Sequence, residues 1–285
     1  NTCWVWISAH MKHDRAAAAL RMIMFFALAM MSVPLILGII LDAGGSWRWI
    51  LVAEGCLALA AAAVAALLPL LDVPGRQNVR LAQFREVVAF DPKLLLGIMA
   101  AGFTYVGAEM TLNIWLPKLQ LDVFGASDTW ASLSVTLFWV GLIAGRLTVM
   151  RLTHSYSPAR LLLVCAAVLA VFAVGLAVAP SQAVSLILAV GAGLGASASY
   201  GLIGSYAGRF PGWKSAVATS LFILSGGLGS ITFPYLMGPL ASAAGFRWAL
   251  AMIAVLSLIY GAASFLIHAR AGEGRGWRLV PSKSE

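Results

Sequence analysis

Charge is what this chain has least of. Only 11% of its 285 residues are charged, against about 25% in a soluble domain. By contrast 61% are hydrophobic, and the mean hydropathy is +0.91. So little polar surface excludes an ordinary soluble enzyme and an intrinsically disordered chain. Cysteine is scarce as well. Cys3, Cys56 and Cys165 lie far apart in apolar runs. They fit neither a metal spacing nor a disulfide framework, so a stapled secreted module is excluded and buried apolar thiols are expected. Asn1 to Ser8 reads as a short apolar stub running into His10, Lys12, His13 and Arg15, not as a signal peptide. The net charge of +8 has no soluble basic domain to carry it, so no nucleic-acid partner is expected. What remains is an all-α, polytopic protein of the lipid bilayer, in which about 20 apolar residues make one crossing.

Eight apolar segments stand out, at about 20–41, 49–71, 94–117, 129–150, 160–179, 183–207, 215–240 and 248–268. Backbone groups in hydrocarbon must bond within their own segment, so these are helices. The ten-residue alternation of a membrane barrel is absent. The basic residues sort by side. The segments 9–21, 72–93, 146–160, 208–214 and 268–285 carry 16 of the 19 Lys and Arg residues, and the opposite side carries Arg48, Lys118 and Arg247. That bias predicts that both ends of the chain and the 72–93 loop are cytoplasmic. Trp47, Trp49, Trp115, Trp130, Trp213 and Trp248 fall near span ends, as an interfacial belt would. Within the 72–93 loop, Leu81, Phe84, Val87 and Val88 share a helical face, which predicts a short amphipathic helix on the membrane surface.

Two windows echo each other at an offset of about 200 residues. Pro34, Gly38, Arg48 and Trp49 correspond to Pro234, Gly238, Arg247 and Trp248. A repeat in the same membrane orientation implies two parallel halves about an axis along the membrane normal, an arrangement found among secondary transporters. The second half holds six spans and the first half only two. The expected organisation is therefore 1–71 as the remainder of an N-terminal bundle (the end of a fourth helix, then helices five and six), 72–93 as a central loop, 94–268 as a six-helix C-terminal bundle and 269–285 as a tail. A chain of roughly 400 residues would be needed for the full set of twelve spans.

These segments resemble the major facilitator superfamily, whose members carry twelve helices in two bundles. The Pro34…Gly38…Trp49 window is similar to its fifth helix, outer turn and sixth helix. Gly141-Leu-Ile-Ala-Gly-Arg-Leu-Thr-Val-Met-Arg151 with Ser157-Pro-Ala-Arg160 is similar to its basic motif between helices eight and nine, although Thr153 and His154 stand where an aspartate is usual. Tyr105-Val-Gly-Ala-Glu109, Trp115-Leu-Pro117, Arg209-Phe-Pro-Gly and Ser225-Gly-Gly-Leu-Gly229 resemble the fucose:proton symporter-like branch. The resemblance implies a bacterial inner-membrane transporter that takes a small polar solute, a sugar among the candidates, together with protons. It implies no cofactor and no metal. Efflux of drugs or other amphipathic compounds is the alternative within the same fold. A non-transporting receptor or scaffold is a third reading. The sequence carries no oligomeric signal, and a monomer is expected.

Glu109 is the sharpest candidate. It lies about 12 Å inside the outer end of its span at 1.5 Å per residue. A carboxylate at that depth is costly when ionised, so it normally faces the bundle interior or a wet cavity and exchanges a proton. Tyr105, Glu109 and Asn113 recur every four residues and share a face; carboxylate, amide and phenol together suit a hydroxyl-rich solute. The alternative is a structural hydrogen bond to a neighbouring Ser or Tyr. Trp139, Thr136, Ser197 and Tyr200 are candidate cavity residues, with ordinary packing as the alternative. Arg146 and Arg151 are expected at the cytoplasmic end of a helix, as a gating latch or as plain topology signal. Gly226, Gly227 and Pro234 would loosen or kink the eleventh helix for gating. Glu54 is a weaker candidate near the outer interface. Gly191, Gly193 and Gly195 are expected to let helices approach closely. Gly195-Ala-Ser197 superficially resembles a membrane serine protease motif, but His10, His13, His154 and His268 all lie at span ends. No base is within reach of Ser197, so an enzyme is not expected. No filter-like loop suggests a channel.

Overall fold

The computed structural model describes residues 15–67 and 81–270. The expectations for the stub, for most of the 72–93 loop and for the tail fall outside the described residues. Among the described residues ten α-helices follow one another: α1 (Arg15–Asp42), α2 (Arg48–Leu67), α3 (Leu81–Phe90), α4 (Pro92–Lys118), α5 (Asp128–Leu152), α6 (Pro158–Val178), α7 (Gln182–Ala196), α8 (Ser199–Ala207), α9 (Trp213–Ala244) and α10 (Phe246–Arg270). A π-turn over Leu119–Val123 extends α4. Six of the described stretches are long and apolar enough to cross a membrane: 92–123, 128–152, 158–178, 182–207, 213–244 and 246–270. They match the last six spans expected from the sequence to within a few residues, apart from longer ends. No strand occurs among the described residues. The chain is thus a polytopic α-helical membrane protein.

The start and stop signals are conventional. Asp91 caps α4, its carboxylate accepting from Leu94 N, with Pro92 in the first turn where its missing N–H costs nothing. Pro158 does the same for α6, and the Ser181 hydroxyl caps α7. The amphipathic segment forms α3, and Val87 is its fully buried residue while Phe84 and Val88 stay exposed. Phe90 at its end meets Phe210, with ring centroids 5.8 Å apart, and Lys214 Nζ lies 5.0 Å from the Phe90 ring.

Helix α4 is the hub. It packs against α9, α10, α5 and α8, while α6 packs on α10 and α7, and α5 on α7. The contacts are made possible by missing side chains. A Cβ on Gly141 of α5 would run into the Val190 carbonyl of α7, and a Cβ on Gly193 of α7 into the Phe138 carbonyl of α5. The expected glycine-mediated approach of α7 is therefore present and reciprocal. Trp139, Tyr105, Tyr206, Tyr260, Phe138 and Phe222 fill the interior.

The two first helices behave differently. Helix α1 lies along α5. The Thr136 hydroxyl donates to Met31 O at 2.8 Å, and Gly38 sits where a Cβ would be 2.6 Å from Asp128 O. Helix α2 is exposed on all sides from Leu51 to Val64, so Glu54 and Cys56 face outward. The expectation of buried thiols holds for Cys165, which is 3% exposed, and fails for Cys56. Among the described residues no helix packs closely against the apolar run around Cys56.

Candidate functional site

The span expected as one helix over 183–207 is two. Helix α7 ends at Ala196 and α8 begins at Ser199, with Ala198 at φ −112°, ψ −1° between them. Glycine and serine crowd this stretch from Gly191 to Gly201, and both are weak helix formers. Breaking a helix in the hydrocarbon region leaves carbonyls without their backbone donors, which is tolerated only where protein groups replace those donors. Two side chains from other helices do so here. The Tyr105 hydroxyl of α4 donates to Ala196 O at 3.0 Å, and Arg146 Nε of α5 donates to Ser197 O at 3.0 Å.

Glu109 stands one turn beyond Tyr105 on α4 and is 9% exposed. Its carboxyl group interacts with the Tyr105 hydroxyl and feels the Arg146 charge. Among the described residues no ion pair joins Arg146 to Glu109. Asn113, one further turn along, has both ends of its amide engaged. Its Nδ2 donates to Glu109 O at 2.9 Å, and its Oδ1 accepts from Trp139 Nε1 at 2.7 Å. Tyr200 on α8 is 44% exposed, rests its ring against Phe222 at 4.9 Å between centroids, and lies within the field of Glu109. Tyr260 of α10 backs Tyr105 at 5.6 Å between centroids.

The structure therefore brings Tyr105, Glu109, Asn113, Trp139, Arg146 and Tyr200 together across α4, α5 and α8. Asn113 bridges the Glu109 backbone and Trp139, Tyr105 and Arg146 bond the break, and Arg146 and Tyr200 meet Glu109 through charge alone. Other expected residues lie apart from this group. Arg151 is exposed at the end of α5. Gly226 faces Val106, and Gly227 faces open space. Pro234 is buried in α9, and its carbonyl accepts from Trp115 Nε1 at 3.1 Å. Thr136 is taken up by α1. Arg146 lies six residues inside the end of α5, about 9 Å at 1.5 Å per residue, so its side chain reaches the break rather than the helix terminus. A short basic motif cannot show that, because the partner carbonyl is 51 residues away. Among the described residues no cluster of three His, Cys, Asp or Glu is placed to hold a metal ion.

A second polar cluster, with no counterpart in the sequence expectations, joins α1 to α5. The Asp42 carboxylate accepts from the Ser127 hydroxyl at 2.7 Å and from Asp128 N and Thr129 N at 3.0 Å each. Ser127 is the N-cap of α5 but makes no capping bond itself, so Asp42 caps that helix from another one. Hydrogen bonds from Thr129 and Ser127 hold the Asp42 carboxyl well below the ordinary carboxylate range. The sequence signal available is Ser127-Asp-Thr129 at a helix start; nothing marks Asp42 as its partner. Near the same end of the molecule an open cleft of about 410 Å³ lies between Trp115, Lys118, Asp122, Ser242 and Phe246.

Solved structures share this fold, among them two of one transporter. One is the E. coli fucose:proton symporter in a point-variant form, with 19% sequence identity and a TM-score of 0.57, covering 72% of this chain and 52% of that one. The other is a second structure of that same transporter, FucP, a member of the major facilitator superfamily, in the outward conformation, with 19% identity and a TM-score of 0.58, covering 72% of this chain and 51% of that one. This chain thus spans about half the length of the solved structures it matches. No curated protein matches its sequence. The family model for the Major Facilitator Superfamily matches residues 5–210 and 122–279, nearly the whole chain. The members are transporters and not enzymes, and this chain belongs to that superfamily.

Proposed function

We propose that the protein is a secondary transporter that carries a small polar solute by alternating access, coupled to protons through Glu109. The observation that supports this reading best is the buried carboxyl group of Glu109, which meets the Tyr105 phenol and lies in the field of the Arg146 guanidinium beside a broken span. Intramembrane carboxylates with partners of this kind mark solute and proton routes, and broken helices in transporters line the binding site. Tyr105, Glu109, Asn113, Trp139 and Tyr200 form the solute face. Arg146, Arg151, Gly226, Gly227 and Pro234 serve conformational gating. One of the solved structures with this fold is a fucose:proton symporter, which makes a sugar the first solute to try. The remaining parts of the reading rest on the sequence. Residues 1–71 belong to the first bundle and 94–268 to the second, the 16-to-3 basic bias supports cytoplasmic ends for this chain, the family resemblance suggests a bacterial inner membrane, and the unit is a monomer.

The test uses the full-length protein in liposomes that contain a pH-sensitive dye. Monosaccharides and polyols are added in turn and lumenal pH is recorded. A solute-dependent pH change that Glu109→Gln abolishes is expected. If Glu109→Gln leaves both rate and pH dependence unchanged, the proton role of Glu109 is wrong. If no sugar or polyol moves protons, and amphipathic dyes are extruded instead, efflux replaces uptake as the reading.

A further inference from the structure

Arg146 holds a backbone carbonyl at the break and yet lies within the field of a carboxylate to which it is not bonded. Its guanidinium has five donors in a rigid fork and stays charged in any environment found in proteins. Its approach to the break depends on the preceding residue, since a Cβ on Gly145 would lie 2.6 Å from Ser197 Cβ. The groups around Glu109 are few. Tyr105 shares its helix, Arg146 comes from α5 and Tyr200 from α8. Tyr260 of α10 stands behind Tyr105, and Cys165 of α6 lies behind the break. Helix α9 presents Phe222 to this region.

We propose that Arg146 is the positioning residue through which the proton on Glu109 controls the break between α7 and α8. With Glu109 protonated, the guanidinium caps Ser197 O, as in the structure. With Glu109 ionised, the guanidinium moves to the carboxylate and Ser197 O loses its donor. The carboxylate wins because it meets the full charge of the guanidinium with a full opposite charge and offers two acceptor oxygens to its fork, whereas Ser197 O offers only a dipole, and the difference grows out of water. An uncapped carbonyl in the hydrocarbon region is not stable as it stands. The segment around Ser197 and Ala198 must then open and admit water, which replaces the lost donor and reaches the Cys165 thiol behind it. The proton leaves Glu109 to water in the solute route and returns from it, while Arg146 stays protonated throughout. This inference rests on the reading of Glu109 as a proton-exchanging group.

Cys165 reports on the break, because its thiol neighbours Ser197, Ala198 and Ser199 and is 3% exposed. In full-length protein in which every cysteine other than Cys165 is replaced by alanine, alkylation of Cys165 by N-ethylmaleimide is followed by mass spectrometry from about pH 6 to about pH 9. The rate with Glu109 is divided by the rate with Glu109→Gln at each pH, which cancels the titration of the thiol itself. The ratio is expected to rise about five-fold with pH, the size set by one hydrogen bond. It should stay flat when Arg146→Gln is added, and keep part of the rise with Arg146→Lys, which retains the charge and covers the case in which Arg146→Gln fails to fold. A flat ratio with Arg146 present overturns the proposal, and so does an equal rise with Arg146→Gln. Solute-driven pH change separates the two levels. If Glu109→Gln abolishes it while the ratio is flat, the proton role stands and the Arg146 coupling falls. If Glu109→Gln leaves it intact, the proton role itself falls.

Discussion

Replacing Gly145 with alanine should weaken the protein through a single contact, and replacing Gly227 should not. An ideal Cβ on Gly145 lies 2.6 Å from Ser197 Cβ and Oγ and 2.8 Å from Leu194 O. Ordinary contact begins at 3.4 Å, so α5 and the break must separate by about 0.8 Å. A separation of that size along the same direction stretches the Arg146–Ser197 bond from 3.0 Å to about 3.8 Å, beyond hydrogen-bond range. Overpacking of this kind costs about 1–3 kcal/mol, which is roughly a 2–10 °C fall in thermal midpoint for a chain of this size. Gly227 is the internal control. A Cβ there meets nothing within 4 Å, and alanine is the better helix former by about 0.5–1 kcal/mol. Gly227→Ala should leave the midpoint unchanged or raise it slightly. Thermal unfolding of the two purified variants in detergent, followed by circular dichroism, checks both. Equal midpoints for Gly145→Ala and Gly227→Ala would refute the claim that the α5–break contact is tight.

Tyr105→Phe removes the donor to Ala196 O while keeping the ring, and should cost about 1–3 kcal/mol because a buried carbonyl is left unsatisfied. Thr104→Val, whose hydroxyl bonds only within its own helix, should cost clearly less, and the comparison is made by the same melts. Asp42→Ala should destabilise at neutral pH by removing the cap of α5. The Asp42 carboxyl is held below its ordinary value of 3.8, so its contribution is complete above that value and lost as pH falls through the lower, folded-state value. The gap in thermal midpoint between wild type and Asp42→Ala should therefore be constant above about pH 5 and shrink on acidification below about pH 4; a gap that persists in acid would refute the cap. In detergent, N-ethylmaleimide should modify Cys56 rapidly and Cys165 slowly until the protein unfolds, by peptide mass spectrometry.

The fold is legible because hydrocarbon imposes long apolar runs on any chain that crosses it. The spans starting near Pro92, Asp128, Pro158 and Trp213 begin at proline, serine, aspartate or glycine punctuation that the sequence displays. Glu109 is legible for the complementary reason, since a lone carboxylate in a 27-residue apolar helix conflicts with its surroundings. The break at Ser197 is not legible. A charge-free run of glycine, alanine and serine reads equally as a tightly packed continuous helix, and partners 91 and 51 residues away decide the outcome. The Asp42 cap is hidden for the same reason, its acceptor and donors lying 85 to 87 residues apart. Asn113 reads in the sequence as a group for a solute, and the sequence does not show the partners that orient its amide, Trp139 and Glu109 O.

The placement of these groups constrains how the site can move. In water a helix break is inexpensive, because solvent takes the freed carbonyls. In the bilayer core it persists only while protein donors remain in place. The two donors here stand on α4 and α5, and α4 also carries Glu109 one turn from Tyr105. Any shift of the break therefore pulls on the helix that bears the carboxylate, and any shift of that helix withdraws a donor from the break. Helix α5 is tied at its other end to α1 through Asp42 and along its length through Thr136. A rearrangement at Ser197 that displaced α5 would thus be opposed at the Asp42 cap, and loss of that cap would ease it. The central network and the α1–α5 contact are consequently two ends of one mechanical element, and Asp42→Ala should alter Cys165 labelling at a distance, although no bond joins Asp42 to the break.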